Sequence, residues 1–249
     1  MVKPPTVPTK ILLKYNLARG GFVKYELRGD TLPVVILTLE QGESIFTETG
    51  GMSWMSDGFE MKTNMEGGIF GGIARTLAGE SVFMTTYTMK KASGIIAFSS
   101  SFPGKIVPIH LEAGESIICQ KQSFLCAERS VKLSAHLKKK LGAGLFGGEG
   151  FILQKLTGPG WAFLEIDGEA VEYQLEPGEK LKVDTGHVAI FEPSVDFNIE
   201  MVKGFKNILF GGEGLFLTTL EGPGKVWLQS MPIDNLAARL IPFLPSSDD

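Results

Sequence analysis

Three copies of one short phrase constrain this chain more than any other feature. Leu39-Glu40-Gln41-Gly42-Glu43 recurs as Leu111-Glu112-Ala113-Gly114-Glu115 and as Leu175-Glu176-Pro177-Gly178-Glu179. A second phrase follows each copy: Ile69-Phe70-Gly71-Gly72, Leu145-Phe146-Gly147-Gly148 and Leu209-Phe210-Gly211-Gly212. From the glycine of the first phrase to the phenylalanine of the second is 28 residues in copy one and 32 in copies two and three. Two ordered phrases at matched spacing mark one structural unit written three times. The copies span about residues 20–91, 92–157 and 158–231, ahead of a C-terminal helical tail at 232–249.

The unit is built of strands. Val195, Phe197, Ile199 and Met201 alternate with polar residues, as in a half-buried strand, and Val131, Leu133, Ala135 and Leu137 hold the same places in copy two. Gly42, Gly114 and Gly178 sit where one apolar run ends and the next begins, the place for a tight turn with positive φ. Gly158-Pro159-Gly160, Gly222-Pro223-Gly224 and Phe102-Pro103-Gly104 mark further turns. Copy one carries an insertion, Ile73 to Ala78. Near the C-terminus Asp234 or Asn235 caps a short helix through Leu236, Ala237, Leu240 and Ile241, and Pro242 stops it. The expected fold is all-β: three tandem β-sandwich-like repeats in a pseudo-threefold arrangement, forming one compact domain over 1–249 with a short C-terminal helix.

A hydrophobic content of 43% supports a packed core, and a net charge of -4 argues against a nucleic-acid partner. No run approaches the roughly 20 apolar residues of a membrane span, and Met1 to Lys10 has no apolar signal core. Cys119 and Cys126 are read as free thiols, set on opposite faces of one strand, in a cytoplasmic protein.

The repeats, together with Glu48-Thr49-Gly50-Gly51-Met52-Ser53-Trp54 and Asn235-Leu236-Ala237-Ala238-Arg239-Leu240-Ile241-Pro242, resemble a known family. They look like the bacterial and archaeal relatives of the fungal "altered inheritance of mitochondria" biogenesis factor, from about Val23 to Pro245. The resemblance implies three repeats, each similar to the β-sandwich subunit of the trp RNA-binding attenuation protein. It implies no activity and no catalytic residues. The fungal relative is associated with the organisation of mitochondrial inner-membrane complexes, a role that maps onto no particular residue here.

Motifs for chemistry are few. His110, His136 and His187 lack the spacing of a metal site, and Gly142 to Gly150 lacks the Gly-Lys-Ser/Thr of a phosphate loop. The glutamate pairs 40/43, 112/115 and 176/179 read as a solvated rim rather than acid and base. No catalytic, cofactor-binding or metal residue is assigned. The candidate interaction surface is Phe70, Phe146 and Phe210 with Lys138, Lys139 and Lys140, glycine-flanked aromatics beside lysines that suit a membrane interface, a partner or a second copy. The leading expectation is a non-catalytic scaffold or interaction protein, with peripheral membrane association as one form of it. The alternative is a small-molecule binder or enzyme with a site between repeats, and the lesser alternative is RNA binding.

Overall fold

The computed structural model describes residues 23–64, 84–139, 150–201 and 216–243. They form antiparallel strands, one short α-helix and brief 3₁₀ turns, so the all-β expectation holds. The first set of strands is β1 (Lys24–Arg28), β2 (Val34–Glu40), β3 (Ser44–Glu48), β4 (Trp54–Met55), β5 (Phe59–Asn64), β6 (Met84–Met89) and β7 (Ser93–Ser99). The second is β8 (Gly104–Leu111), β9 (Ser116–Gln120), β10 (Phe124–Glu128), β11 (Lys132–Lys139), β12 (Phe151–Thr157) and β13 (Gly160–Asp167). The third is β14 (Ala170–Leu175), β15 (Lys180–Asp184), β16 (Val188–Phe191), β17 (Asp196–Met201), β18 (Phe216–Glu221) and β19 (Gly224–Gln229).

Pairing inside the three sets is the same. β2, β8 and β14 pair with β7, β13 and β19, whose other edges take β4, β10 and β16. β3, β9 and β15 pair with β6, β12 and β18, whose other edges take β5, β11 and β17. Each set is thus an outer and an inner three-stranded layer, with β1 added to the first outer layer. The sequence division ran between β6 and β7, whereas pairing joins β7 to the first set, β13 to the second and β19 to the third.

Two seams then fuse the sets. β10 pairs with β3 (Ala127 opposite Phe46) and β16 pairs with β9 (Phe191 opposite Ile118). The inner layer of one set and the outer layer of the next become one six-stranded sheet, and this happens twice. The middle strands of both sheets are covered on two faces. One core gathers Val35, Leu37 and Phe98 with Ile45, Trp161 and Phe163. The next gathers Phe46 and Leu164 with Ile117, Ile152 and Ile190, and the third gathers Ile118 and Phe191 with Ile199 and Leu220.

Small polar devices recur with the strands. Gly42, Gly114 and Gly178 have φ of 90°, 88° and 80°, and open space around each would-be Cβ leaves backbone conformation as the reason for glycine. At the same turns Glu43, Glu115 and Glu179 accept the backbone N–H of Glu40, Glu112 and Glu176 at 2.6, 2.8 and 2.9 Å. The second glutamate therefore closes the turn besides facing water. A second device ties the outer layers: Ser56 Oγ, Glu128 Oε2 and Glu192 Oε2 accept the N–H of Ile95, Trp161 and Lys225 at 3.0, 2.8 and 2.9 Å.

The helix α1 (Ile233–Leu240) begins after Pro232, without a side-chain cap of its own. The expected caps, Asp234 and Asn235, lie in its first turn. The backbone N–H of Ile233 is taken instead by Asp167 Oδ2 at 3.2 Å, from the end of β13. Pro242 falls within a 3₁₀ turn, Ile241–Phe243, that continues the helix. Glu128 is 7% exposed, and burial pushes its carboxyl up against the opposing Trp161 N–H bond. Replacing Glu128 by Ala leaves that N–H unpaired in the interior and should cost about 2–3 kcal/mol in urea unfolding, against about 0.5–1 kcal/mol for the exposed equivalent Ser56→Ala.

Candidate functional site

A cavity of about 660 Å³ opens where the first seam meets α1. Its floor is the stretch after β3 containing Glu48, Thr49, Gly50, Gly51 and Ser53. Ser99 and Ser101 at the end of β7, Lys121 and Gln122 ahead of β10, Phe124 and Leu125 at its start, Glu165 of β13, and Ile233 with Asp234 of α1 complete it. Side chains at equivalent positions differ in size around this space. Ser99, Glu165 and Gln229 each stand five residues beyond the glycine that faces Leu39, Leu111 or Leu175. In the third set Gln229 Nε2 donates to Gly186 O at 2.8 Å, and His187 Nδ1 lies 2.7 Å from Gln229 O, which fills the place. In the first set Ser99 and Gly51 replace Gln229 and His187. A Cβ on Gly51 would stand 2.4 Å from Thr47 Oγ1, so nothing larger fits without a shift.

Glu165 is the best-held carboxylate on the wall, 6% exposed. Its Oε2 accepts from Ser100 Oγ at 2.9 Å and Ser101 N at 2.7 Å, and its Oε1 accepts from Ser101 Oγ at 2.9 Å. The second seam repeats the contact in neutral form, with Asp167 N donating to Gln229 Oε1 at 3.2 Å. Beside Glu165, Asp167 is pushed up from 3.8 to about 6, first by burial and then by the charge of Glu165. Burial also raises Asp234. The wall thus carries an excess of negative charge among hydroxyls. Among the described residues the lining holds carboxylates, hydroxyls and one lysine, and Ser101 Oγ donates directly to Glu165. The arrangement suits holding a polar molecule.

None of the sequence candidates is among the described residues that line this cavity. Phe70, Phe146, Phe210, Lys140 and the Ile73–Ala78 insertion fall outside the described residues. The backbones of Lys138 and Lys139 end β11, opposite Ile152 and Phe151 of β12. His110 Nδ1 lies 3.3 Å from Glu112 Oε1, with its ring against Trp161, and His187 Nε2 lies 3.3 Å from Asn235 Nδ2. Cys119 is on β9 and Cys126 on β10, so the two do not share a strand as expected, although both are free and fully buried. Burial pushes the Cys119 thiol up to about 12 and raises Cys126 well above its ordinary value.

A second surface feature is α1 itself. Ile233, Leu240, Ile241 and Phe243 are 44, 50, 64 and 85% exposed. With Ala237 they form an exposed apolar run that starts beside the cavity at Ile233 and continues past α1 into the 3₁₀ turn Ile241–Phe243. That run is visible in the sequence. Its outward direction is not, because an apolar stripe ordinarily faces a core.

Two measurements check this picture. The raised Asp167 carboxyl keeps its proton to higher pH when folded than when unfolded. Stability therefore falls as pH rises from about 4 to about 6 and stays lower above that window. Asp167→Asn should raise stability by about 1 kcal/mol at pH 7.5, after discounting for solvent screening, and leave it unchanged at pH 4, as read by thermal melts. Neither cysteine should react with a thiol reagent in the folded protein, while unfolding in denaturant should release both.

Comparison with known proteins follows the same outline. The family model described as "Mitochondrial biogenesis AIM24" matches residues 25–231. An uncharacterized protein of Streptococcus pyogenes serotype M6 is 28% identical over 231 residues, 89% of this chain and 91% of its own length. A crystal structure of a Streptococcus pyogenes protein, a structural-genomics target, superposes with a TM-score of 0.72 at 24% identity, covering 89% of this chain and 100% of that one. At that identity the likeness speaks for the fold. The family match covers most of the chain, and the protein belongs to the mitochondrial biogenesis AIM24 family.

Proposed function

We propose that this chain is a non-catalytic interaction protein that docks a partner protein through the apolar stripe of α1. The observation that carries the reading is the outward stripe of Ile233, Ala237, Leu240, Ile241 and Phe243. A short helix with its apolar residues in water gains more from a partner's groove than from its own fold, which is how amphipathic helices are recognised. No helix among the described residues is long and apolar enough to cross a membrane. The stripe's polar companions are Asp234, Asn235 and Arg239, a set without the basic excess that anionic lipid attracts. This favours a protein groove over a bilayer. The Phe-Gly-Gly segments with Lys138 to Lys140 remain a further contact surface in the same reading, in a cytoplasmic protein that has no use for nucleic acid.

The cavity supports a second reading, a small polar ligand held between the first two sets of strands. Its support is the convergence of Glu48, Glu165, Asp234 and Lys121 with five hydroxyl side chains around one space.

A photocrosslinking residue at Phe243 tests the first reading in cells. We expect one discrete protein adduct, absent when the same residue is placed at the exposed turn position Glu176. A Leu240→Asp, Ile241→Asp double variant should lose the adduct while changing stability by less than about 0.5 kcal/mol per site, as exposed positions do. No adduct from wild type removes the reading. Co-sedimentation of wild type with anionic liposomes, lost in the double variant, reassigns the stripe to a membrane.

A further inference from the structure

Two seams between the sets are closed by main-chain pairing, and a third pair of equivalent edges exists. Phe46, Ile118 and Lys182 each stand three residues beyond the second glutamate of the repeated phrase. Ala127, Phe191 and Met55 stand opposite Ala162, Val226 and Ile96, equivalent positions of β13, β19 and β7. Since Ala127 faces Phe46 and Phe191 faces Ile118, the same register in a third seam sets Met55 opposite Lys182. Trp54 then faces Val183 and Asp57 faces Lys180. Among the described residues that seam is not formed: β4 pairs with β7 alone and β15 with β18 alone.

The exposures agree. Phe46, Ala127, Ile118 and Phe191 are at most 3% exposed in their closed seams, whereas Trp54 is 47% and Ile95 42% exposed. The equivalents of Trp54 and Ile95 in the second set, Cys126 and Trp161, are 0 and 6% exposed, packed into the first core. One residue distinguishes the open edge. Where the closed seams bury Phe46 and Ile118, the open edge carries Lys182, which is exposed. Closing the seam would press its ammonium against Met55 at a place that elsewhere is apolar and dry, and an unpaired buried charge is heavily disfavoured. Lysine on an edge strand is a common way to keep that edge unpaired.

We propose that Lys182 is the gatekeeper that holds the third seam open, and that the partner for which the β4 and β15 edges are matched is each other, within one chain. The geometry favours the same chain over a second copy. α1, which follows β19 of the third set, already shares the cavity wall with Ser99 and Ser101 at the end of β7, the strand that carries β4. The helix that leaves the third set therefore reaches the first, and pairing of two edges within one chain has the advantage of an intramolecular encounter. Opposite charges also face each other in the derived register. Asp57 and Lys180 are now engaged by Lys91 and Glu221, exposed pairs that are easily exchanged.

The test is Lys182→Ile, which restores the residue type of the closed seams at an exposed site. Hydrogen exchange at Met55, Asp57, Lys180 and residue 182, whose N–H groups point into the seam in the register of the closed ones, should slow at least about tenfold relative to wild type, with the mass in solution still that of the wild type. Unchanged exchange in a cooperatively folded variant overturns the proposal. So does a concentration-dependent dimer, which would assign the edges to a second copy. A Met55→Cys, Lys182→Cys variant gives an independent reading, because facing residues of an antiparallel pair lie within disulfide reach. Mild oxidation should yield an intrachain crosslink on a non-reducing gel, while interchain crosslinks or none count against it.

Discussion

Antiparallel pairing of β3 with β10, and of β9 with β16, is the interaction on which the rest of this structure depends. It converts three separate strand units into two continuous six-stranded sheets and sets both faces of their middle strands in apolar surroundings. The strands that bear this load read accordingly. β13 is buried along nearly its whole length, through Trp161, Ala162, Phe163 and Leu164, and β10 throughout. β2, in the outermost sheet, instead alternates buried with half-buried residues along its length. Two-sided burial replaces period-two alternation with continuous apolar runs, as sheets covered on both faces require.

Polar side chains at the seams decide whether a junction is sealed or left with space. Where the second seam meets the end of β19, the amide of Gln229 satisfies a carbonyl and a backbone N–H together. At the first seam, Glu165 takes three donors from Ser100 and Ser101 and contributes charge as well as bonding. Ser99 and Gly51 stand in the first set where Gln229 and His187 stand in the third, and both line the cavity. The same triplicated backbone therefore yields different surfaces through a few substitutions at equivalent positions.

Much of the fold was legible in the chain. The glycine turns at 42, 114 and 178, the equivalence of the 131–137 and 195–201 runs, and the C-terminal helix all rest on local chemistry, and all appear in the structure. The helix cap was misjudged because its acceptor, Asp167, comes from a distant strand end. The cysteines were misplaced because the 3₁₀ turn Lys121–Ser123 leaves no strong glycine or proline signal in the sequence. The cavity was not legible at all: Glu48, Ser99, Glu165 and Asp234 share no spacing in the sequence, and only pairing brings them together.

The sequence by itself determined that one strand unit is written three times and where its turns fall, because turn conformation and strand alternation depend on residues a few positions apart. Only the tertiary structure decided which edges meet, which carboxylates are driven together and which apolar stripe is left facing water. Lys182 carries the contrast. In the sequence it is an ordinary lysine in an alternating run. Set in register against Phe46 and Ile118, it marks the edge where the pairing stops, because burying its charge costs more than one more pair of hydrogen-bonded strands returns.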